Sequence, residues 1–324
     1  MKKTFKIIGL VIGVLLLLLV AAAGYIKWQL PDAAPAPDIL IDKSQARIER
    51  GEYLANHVTL CIDCHSTRDW SRFAGPIAPG NLGGGGEKFG PEMGFPGSFY
   101  SRNITPYSLG NWTDGEIFRA VTTGVSKDGS ALFPVMPYHN YGRMDSDDIY
   151  AIIAYLRTLP SVINTPPASV ADFPVNILIN TMPAPATPSI LPSEDELLSY
   201  GKYLTNAAAC VECHSQIDKG TIIPGTEFGG GMEFPMPGGV VRSANITPDK
   251  ATGIGTWTEA MFVARFKMHA DSNYSAPKVA AGEMNTPMPW NMYGGMKEYD
   301  LKAIYAYLES LEPKNHKVEK FTKL

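Results

Sequence analysis

The chain opens with Lys2, Lys3 and Lys6 and then runs from Ile7 to Ile26 without a charge, ending at Lys27 and Trp28. At about 1.5 Å per residue, a helix over that run is about 30 Å long, the thickness of a bilayer's hydrocarbon layer. Later apolar residues recur at helical spacing. Ile149, Ile152, Ile153 and Leu156 share one face of a helix announced by Asp145-Ser-Asp-Asp148 and stopped by Pro160; Leu301, Ile304, Tyr305 and Leu308 repeat that face, with Pro313 as the stop. A third helix is predicted from Thr113, whose hydroxyl and Glu116 make a capping box ahead of Ile117, Phe118 and Val121. A fourth covers Ala46 to His57 with Ser44 as its N-cap, and Gly51 leaves room on one face for a close helix crossing. Glycine-rich loops follow at Gly83 to Gly97 and Gly225 to Gly239. Pro160 to Ser193 is rich in proline, yet Phe173, Val175, Ile177 and Ile179 alternate, which predicts an extended strap lying against a domain.

The chain repeats itself. Arg50-Gly51-Glu52-Tyr53-Leu54 corresponds to Tyr200-Gly201-Lys202-Tyr203-Leu204, Asn103-Ile-Thr-Pro106 to Asn245-Ile-Thr-Pro248, and Asn111-Trp112-Thr113 to Thr256-Trp257-Thr258. Met136-Pro137-Tyr138 answers Met288-Pro289-Trp290, and the helix around Ala151 to Leu159 answers Ala303 to Leu311. Order and rough spacing are kept, so each half reads as one small, mostly helical domain. The expected boundaries are an N-terminal segment at 1–28, a Pro/Ala tether at 29–43, domains at 44–160 and 193–313 separated by a strap at 161–192, and a tail at 314–324.

The N-terminal segment has two possible fates. Ala21-Ala22-Ala23 offers a site for signal peptidase, whereas the length of the apolar run and the interfacial positions of Tyr25 and Trp28 favour an uncleaved membrane anchor. In both cases the N-terminal lysines hold that end in the cytoplasm and send the rest across, into a bacterial periplasm. The tether, with Pro31, Pro35 and Pro37, could hold the first domain up to ~45 Å from the anchor at about 3.1 Å per residue. Setting Lys2, Lys3 and Lys6 aside leaves 25 of the 28 basic side chains against 32 acidic ones, a formal charge of −7, which argues against nucleic-acid binding.

All 4 cysteines stand in two short motifs, Cys61-Ile-Asp-Cys64-His65 and Cys210-Val-Glu-Cys213-His214. Paired thiols can form thioethers with the two vinyl groups of a porphyrin while the adjacent histidine ligates its iron, so each motif predicts one covalent c-type haem. A redox dithiol needs no histidine after the pair, and a shared four-sulfur zinc site is disfavoured by the repeated histidine and the separate helical surroundings. A low-spin electron carrier needs a sixth iron ligand, and a thioether raises the potential while closing the site to peroxide. Met136 and Met288 are the candidates among 13 methionines because they occupy the same place in both repeats, between stiffening prolines. His139 is a reserve ligand for the first iron; His57, His269 and His316 have no counterpart in the other repeat. Asn103, Trp112, Asn245 and Trp257 read either as propionate donors or as turn and core residues.

Together these segments resemble the membrane-bound multihaem cytochrome c subunits of bacterial alcohol and sugar dehydrogenases. The likeness covers roughly Ala46 to Pro313 and includes Phe173-Pro-Val-Asn176. Members commonly carry three haem domains, and this chain has two motifs. The resemblance implies two tandem cytochrome c folds after a transmembrane helix, two haems held by Cys61, Cys64, Cys210 and Cys213, and His/Met ligation by His65 with Met136 and His214 with Met288. It also implies one-electron relay between a dehydrogenase or quinol-linked complex and quinone or a terminal oxidase, with no catalytic residues. A dihaem peroxidase, which needs an open iron site, is the alternative.

Overall fold

The computed structural model describes residues 2–323, and helix is its dominant regular element. Helix α1, Lys2–Gln29, is long and apolar enough to cross a membrane, and most of its apolar side chains are exposed. In the first half, α2 (Gln45–Tyr53) crosses α4 (Ser146–Leu156), with α3 (Asp114–Thr123) between them in sequence. After α5 (Val175–Leu178), the second half repeats the crossing with α6 (Leu197–Ala207) and α8 (Glu298–Glu309), preceded by α7 (Glu259–Lys267). A Cβ placed on Gly51 would lie 1.8 Å from the Ala151 carbonyl oxygen, and one on Gly201 would lie 1.9 Å from that of Ala303. No other residue fits, and the sequence-level reason for a glycine there holds in both halves.

The predicted caps divide. The Thr113/Glu116 capping box forms, and the Asp145 side chain accepts from the Asp147 amide. Ser44 does not cap α2: its hydroxyl donates to Asp42 at 3.1 Å. Nor does α2 run regularly to His57, because Leu54–Val58 is a π-turn closed by Thr59 N–H on the Leu54 carbonyl at 2.8 Å.

Small antiparallel sheets flank each crossing. Strands β1 (Lys88–Phe89), β2 (Gly97–Tyr100) and β3 (Val170–Ala171) make one, with Phe89 opposite Phe99 and Gly97 opposite Ala171. After the hairpin β4 (Ile217–Asp218) and β5 (Thr221–Ile222), strands β6 (Glu233–Met236), β7 (Gly239–Arg242) and β8 (Phe321–Lys323) make the other, with Phe234 opposite Val241 and Gly239 opposite Lys323. The third strand of each sheet comes from the chain after the last helix of its half. The structural repeat therefore extends beyond Leu159 and Leu311 into segments with no sequence likeness.

Buried side chains of both halves, among them Leu54, Ile62, Ile152, Tyr200, Leu204 and Leu301, form one continuous cluster. The seam is polar and reciprocal. Tyr203 of the second half donates to Asp148 of the first at 2.7 Å, and Tyr53 of the first donates to Asp300 of the second. Both carboxylates are buried within the first turn of their helices, where the aligned backbone dipoles favour negative charge. Arg50 grips Asp148 with two 2.9 Å bonds, and the equivalent Tyr200 donates to Asp300 at 3.0 Å. Asn140 and Asn206 exchange side-chain to carbonyl bonds of 3.3 and 2.9 Å across the same seam.

The tether departs from expectation, and the strap does so in part. Residues 30–44 form no helix or strand, and they do not hold the first half away from α1: Ala33 and Ile41 are buried, the Ile41 amide donates to Asp114 at 3.1 Å, and the Pro37 carbonyl rests on Gly115. Apolar side chains in a proline-rich segment gain more by covering α3 than by remaining in water. The strap is a strand only at β3. From Pro174 the backbone turns helical, with Asn176 N–H on the Asp172 carbonyl at 2.9 Å, and α5 packs on α1. On either side of this turn the strap lies against the first half as expected: Asn103 donates to the Val162 and Asn164 carbonyls, and the Thr187 and Ser189 amides donate to the Gly142 and Arg143 carbonyls. Alternating β-branched residues were a weak strand signal because so short a segment takes its conformation from its tertiary neighbours.

Candidate haem-binding sites

Each Cys-x-x-Cys pair forms a single helical turn, Cys61–Cys64 and Cys210–Cys213. The residue before each turn is left-handed, Leu60 at φ 56° and Ala209 at φ 50°, although neither is glycine. Such backbone is held only where its surroundings demand it, and it recurs at the same place in both halves. Nothing in the sequence signals this strain, since leucine and alanine are ordinary residues. The four cysteines are free of disulfides. Among the described residues no three His, Cys, Asp or Glu side chains gather as a metal site, so the two pairs do not meet in a four-sulfur cluster.

The histidine that ends each turn is fixed by a backbone carbonyl. His65 Nδ1 lies 2.6 Å from the Arg102 oxygen, and His214 Nδ1 lies 2.7 Å from the Ala244 oxygen. A carbonyl can only accept, so each Nδ1 carries the proton and Nε2 keeps its lone pair, the tautomer that an axial ligand requires. Desolvation holds both imidazoles below the usual histidine range, so they are neutral at pH 7. The glycine-rich loops make this possible. Gly85 and Gly230, both at φ 72°, donate to the His65 and His214 carbonyls at 2.7 and 2.9 Å, and a Cβ on either would strike the backbone at Arg102 or Ala244. The loops bring a polypeptide segment against the histidine.

Met136 and Met288 are half-buried against the common core and lead directly into equivalent turns, Tyr138–Tyr141 and Trp290–Tyr293. Tyr141 closes the first turn back onto its motif by donating to the Thr59 carbonyl at 2.5 Å, two residues before Cys61. Tyr293 does the same with Ala208 at 2.7 Å, two residues before Cys210. Both hydroxyls are pushed well above the usual tyrosine range, first by burial and then by the thiols of their own motif; Cys64 and Tyr141 add to the effect at Tyr293. The turns that carry these tyrosines also pack across the seam, Tyr138–Tyr141 against α6 and Trp290–Tyr293 against the Leu54–Val58 turn. Tyr141 and Tyr293 stand at the same distance after Met136 and Met288, but only their contacts reveal the role.

The remaining candidates have other tasks. His139 is exposed, His57 Nδ1 meets the Met292 carbonyl at 3.0 Å, His316 Nδ1 meets that of Gly229 at 2.9 Å, and His269 is stacked on Trp290. Asn103 accepts from Thr105 and donates to the Val162 and Asn164 carbonyls; Asn245 accepts from Thr247 and donates to those of Lys314 and His316. Their amides are spent on tying down the chain after the last helix, and Trp112 and Trp257 pack on the core. The turn reading holds for the two asparagines. One group escaped sequence reasoning altogether: buried Asp63, inside the first motif, is paired at 2.9 Å with Arg68, which lies over the Trp70 ring at 4.0 Å, while the Trp70 indole donates to Glu87 at 2.6 Å. Desolvation nevertheless raises the carboxyl pKa of Asp63.

A haem c would require two thiols on one helical turn, a neutral histidine with a free Nε2, and a second axial donor on a separate segment, and each half contains these elements. The buried Tyr138 hydroxyl, which has no partner among the described residues, is a donor of the kind a propionate takes. Residues 198–312 match the cytochrome c family model. The second half carries a cytochrome c domain. This family implies covalently bound haem c. The chain is 29% identical over 292 residues to the cytochrome c subunit of alcohol dehydrogenase (quinone) from Gluconacetobacter polyoxogenes, covering 84% of this chain and 57% of that protein. It is 28% identical over 298 residues to the gluconate 2-dehydrogenase cytochrome c subunit of Pantoea cypripedii, covering 86% and 63%. A diheme cytochrome c-type protein of Cereibacter sphaeroides is 27% identical over 255 residues, covering 75% and 80%. The chain spans about half the length of the alcohol dehydrogenase subunits it matches. These relatives lend no support to the peroxidase alternative.

Proposed function

We propose that this chain is a dihaem cytochrome c that passes single electrons from a dehydrogenase toward a quinone or terminal oxidase, held on the periplasmic side of the bacterial inner membrane by α1. The observation that carries this reading is the duplicated site: the same strained cysteine turn, the same Nδ1-anchored histidine and the same methionine loop in both halves. Cys61 and Cys64 would hold one haem and Cys210 and Cys213 the other, with His65 and Met136, and His214 and Met288, on the irons. Bound haem supplies the redox couple. The protein's own contribution is to fix each histidine in its ligating tautomer, present a thioether between prolines, and tie each methionine-bearing turn to its own cysteine motif through Tyr141 and Tyr293. No substrate bond is made or broken by these residues, so the chain serves a catalytic partner and is not the catalyst itself. The named dehydrogenase relatives support that class of partner.

Alkaline pyridine spectra combined with intact mass of the purified, denatured chain test the reading. Two haems per polypeptide, retained after denaturation, are expected, as is reduction of both by a co-purifying dehydrogenase. A single haem, a dissociable haem, or a high-spin iron that turns over peroxide would overturn it.

A further inference from the structure

The strap beside α1 has a second face. Its polypeptide from Asp172 to Met182 lies against the last two turns of α1, where Ala23, Gly24 and Ile26 are half-buried although their neighbours are exposed. Asn180 Nδ2 donates to the Ile26 carbonyl at 3.3 Å, meeting one of the four carbonyls that a helix leaves free at its C-terminus. Val175, Ile177 and Ile179 are half-buried, whereas Phe173 is 79% exposed and Leu178 43%. Ile26 is the last residue of the uncharged run, and Tyr25 and Trp28, exposed beside it, are aromatic residues of the type that collects at the headgroup level. Contact with Ile26 therefore sets the depth of the strap at the edge of the same apolar layer that α1 occupies.

We propose that residues 172–182 form a second membrane contact, a short interfacial segment whose Phe173 and Leu178 sit among lipid acyl chains next to α1. This rests on α1 being a membrane anchor. The occupant of the apolar face is lipid because the face continues the lipid-exposed surface of α1, and because the tether folds back onto α3 and so keeps the first half close to the end of that helix. Such a contact restrains the orientation of the protein at the bilayer, which a single helix followed by a free tether would leave open.

The test uses the full-length chain in vesicles of phosphatidylethanolamine and phosphatidylglycerol, and again in native membranes. A benzophenone amino acid replaces Leu16, Phe173, Leu178 or Met261 singly; Met261 is a 52% exposed residue of α7. After irradiation, lipid adducts are read by mass. Adducts at positions 16, 173 and 178, an order of magnitude above position 261, are expected in both preparations. Adducts at 16 with none at 173 and 178 overturn the proposal while leaving the anchor standing. No adduct at 16 overturns both, and a protein adduct in place of lipid at 173 in native membranes shows that a partner subunit occupies the face instead.

Discussion

At the scale of single residues, the two candidate sites carry the same side-chain types and differ in surrounding charge. The thioether of each methionine is expected to stabilise the reduced iron relative to a weaker or oxygen ligand. Met136→Ala or Met288→Ala should therefore lower the potential of one haem and leave both attached, as redox titration followed in the visible band will show; unchanged curves in both variants would mean that other side chains ligate. The first site alone has the buried Asp63 and Arg68 pair within and beside its motif. Removing the cation leaves a carboxylate with no counter-charge in a desolvated position, so Arg68→Ala should cost about 3–5 kcal/mol of stability in urea unfolding of the holoprotein. A loss below ~1 kcal/mol would show that water reaches Asp63 and that the pair is an ordinary surface ion pair.

At the scale of elements, each half depends on a helix crossing that admits no side chain. Gly51→Ala and Gly201→Ala must push α2 off α4 or α6 off α8, because the new methyl group would meet a carbonyl oxygen held in a helix. Overpacking of this kind costs about 1–3 kcal/mol, and the expectation is a lower thermal midpoint for each variant. An Ala variant with the wild-type midpoint would show that the helices can separate freely. The sequence made this crossing legible, since a glycine inside a predicted amphipathic helix needs a packing reason. It gave no such help with α5. There the alternating Val175, Ile177 and Ile179 resemble a strand, and only contact with α1 selects a helical turn.

At the scale of the whole molecule, the two halves behave as one body because their polar contacts cross the seam. Tyr53, Tyr141, Tyr200, Tyr203 and Tyr293 are all held above the usual tyrosine range, by burial first, with nearby carboxylates adding at Tyr53, Tyr200 and Tyr203. In the unfolded chain these hydroxyls ionise near pH ~10, whereas in the native state they remain protonated to higher pH. Their contribution is thus complete below that pH and is lost as the pH rises beyond it. Urea midpoints should fall between about pH 9 and pH 11, more steeply in the wild type than in Tyr203→Phe, which should itself lose about 1–3 kcal/mol at neutral pH by taking a donor from buried Asp148. Equal slopes would mean that the seam tyrosines are hydrated. The amino-acid sequence by itself determined the chemistry: the cysteine and histidine motifs, the apolar first helix, the repeat, and the capping of α3 and α4 are all local patterns of a few residues, readable without knowing what they touch. Only the tertiary structure decided which carbonyl orients each histidine, how Tyr141 and Tyr293 close each methionine turn onto its own motif, that the tether folds back on α3 and part of the strap on α1, and that the third strand of each sheet comes from unlike segments. Those outcomes depend on pairings between residues far apart in the chain, which short-range periodicity does not encode.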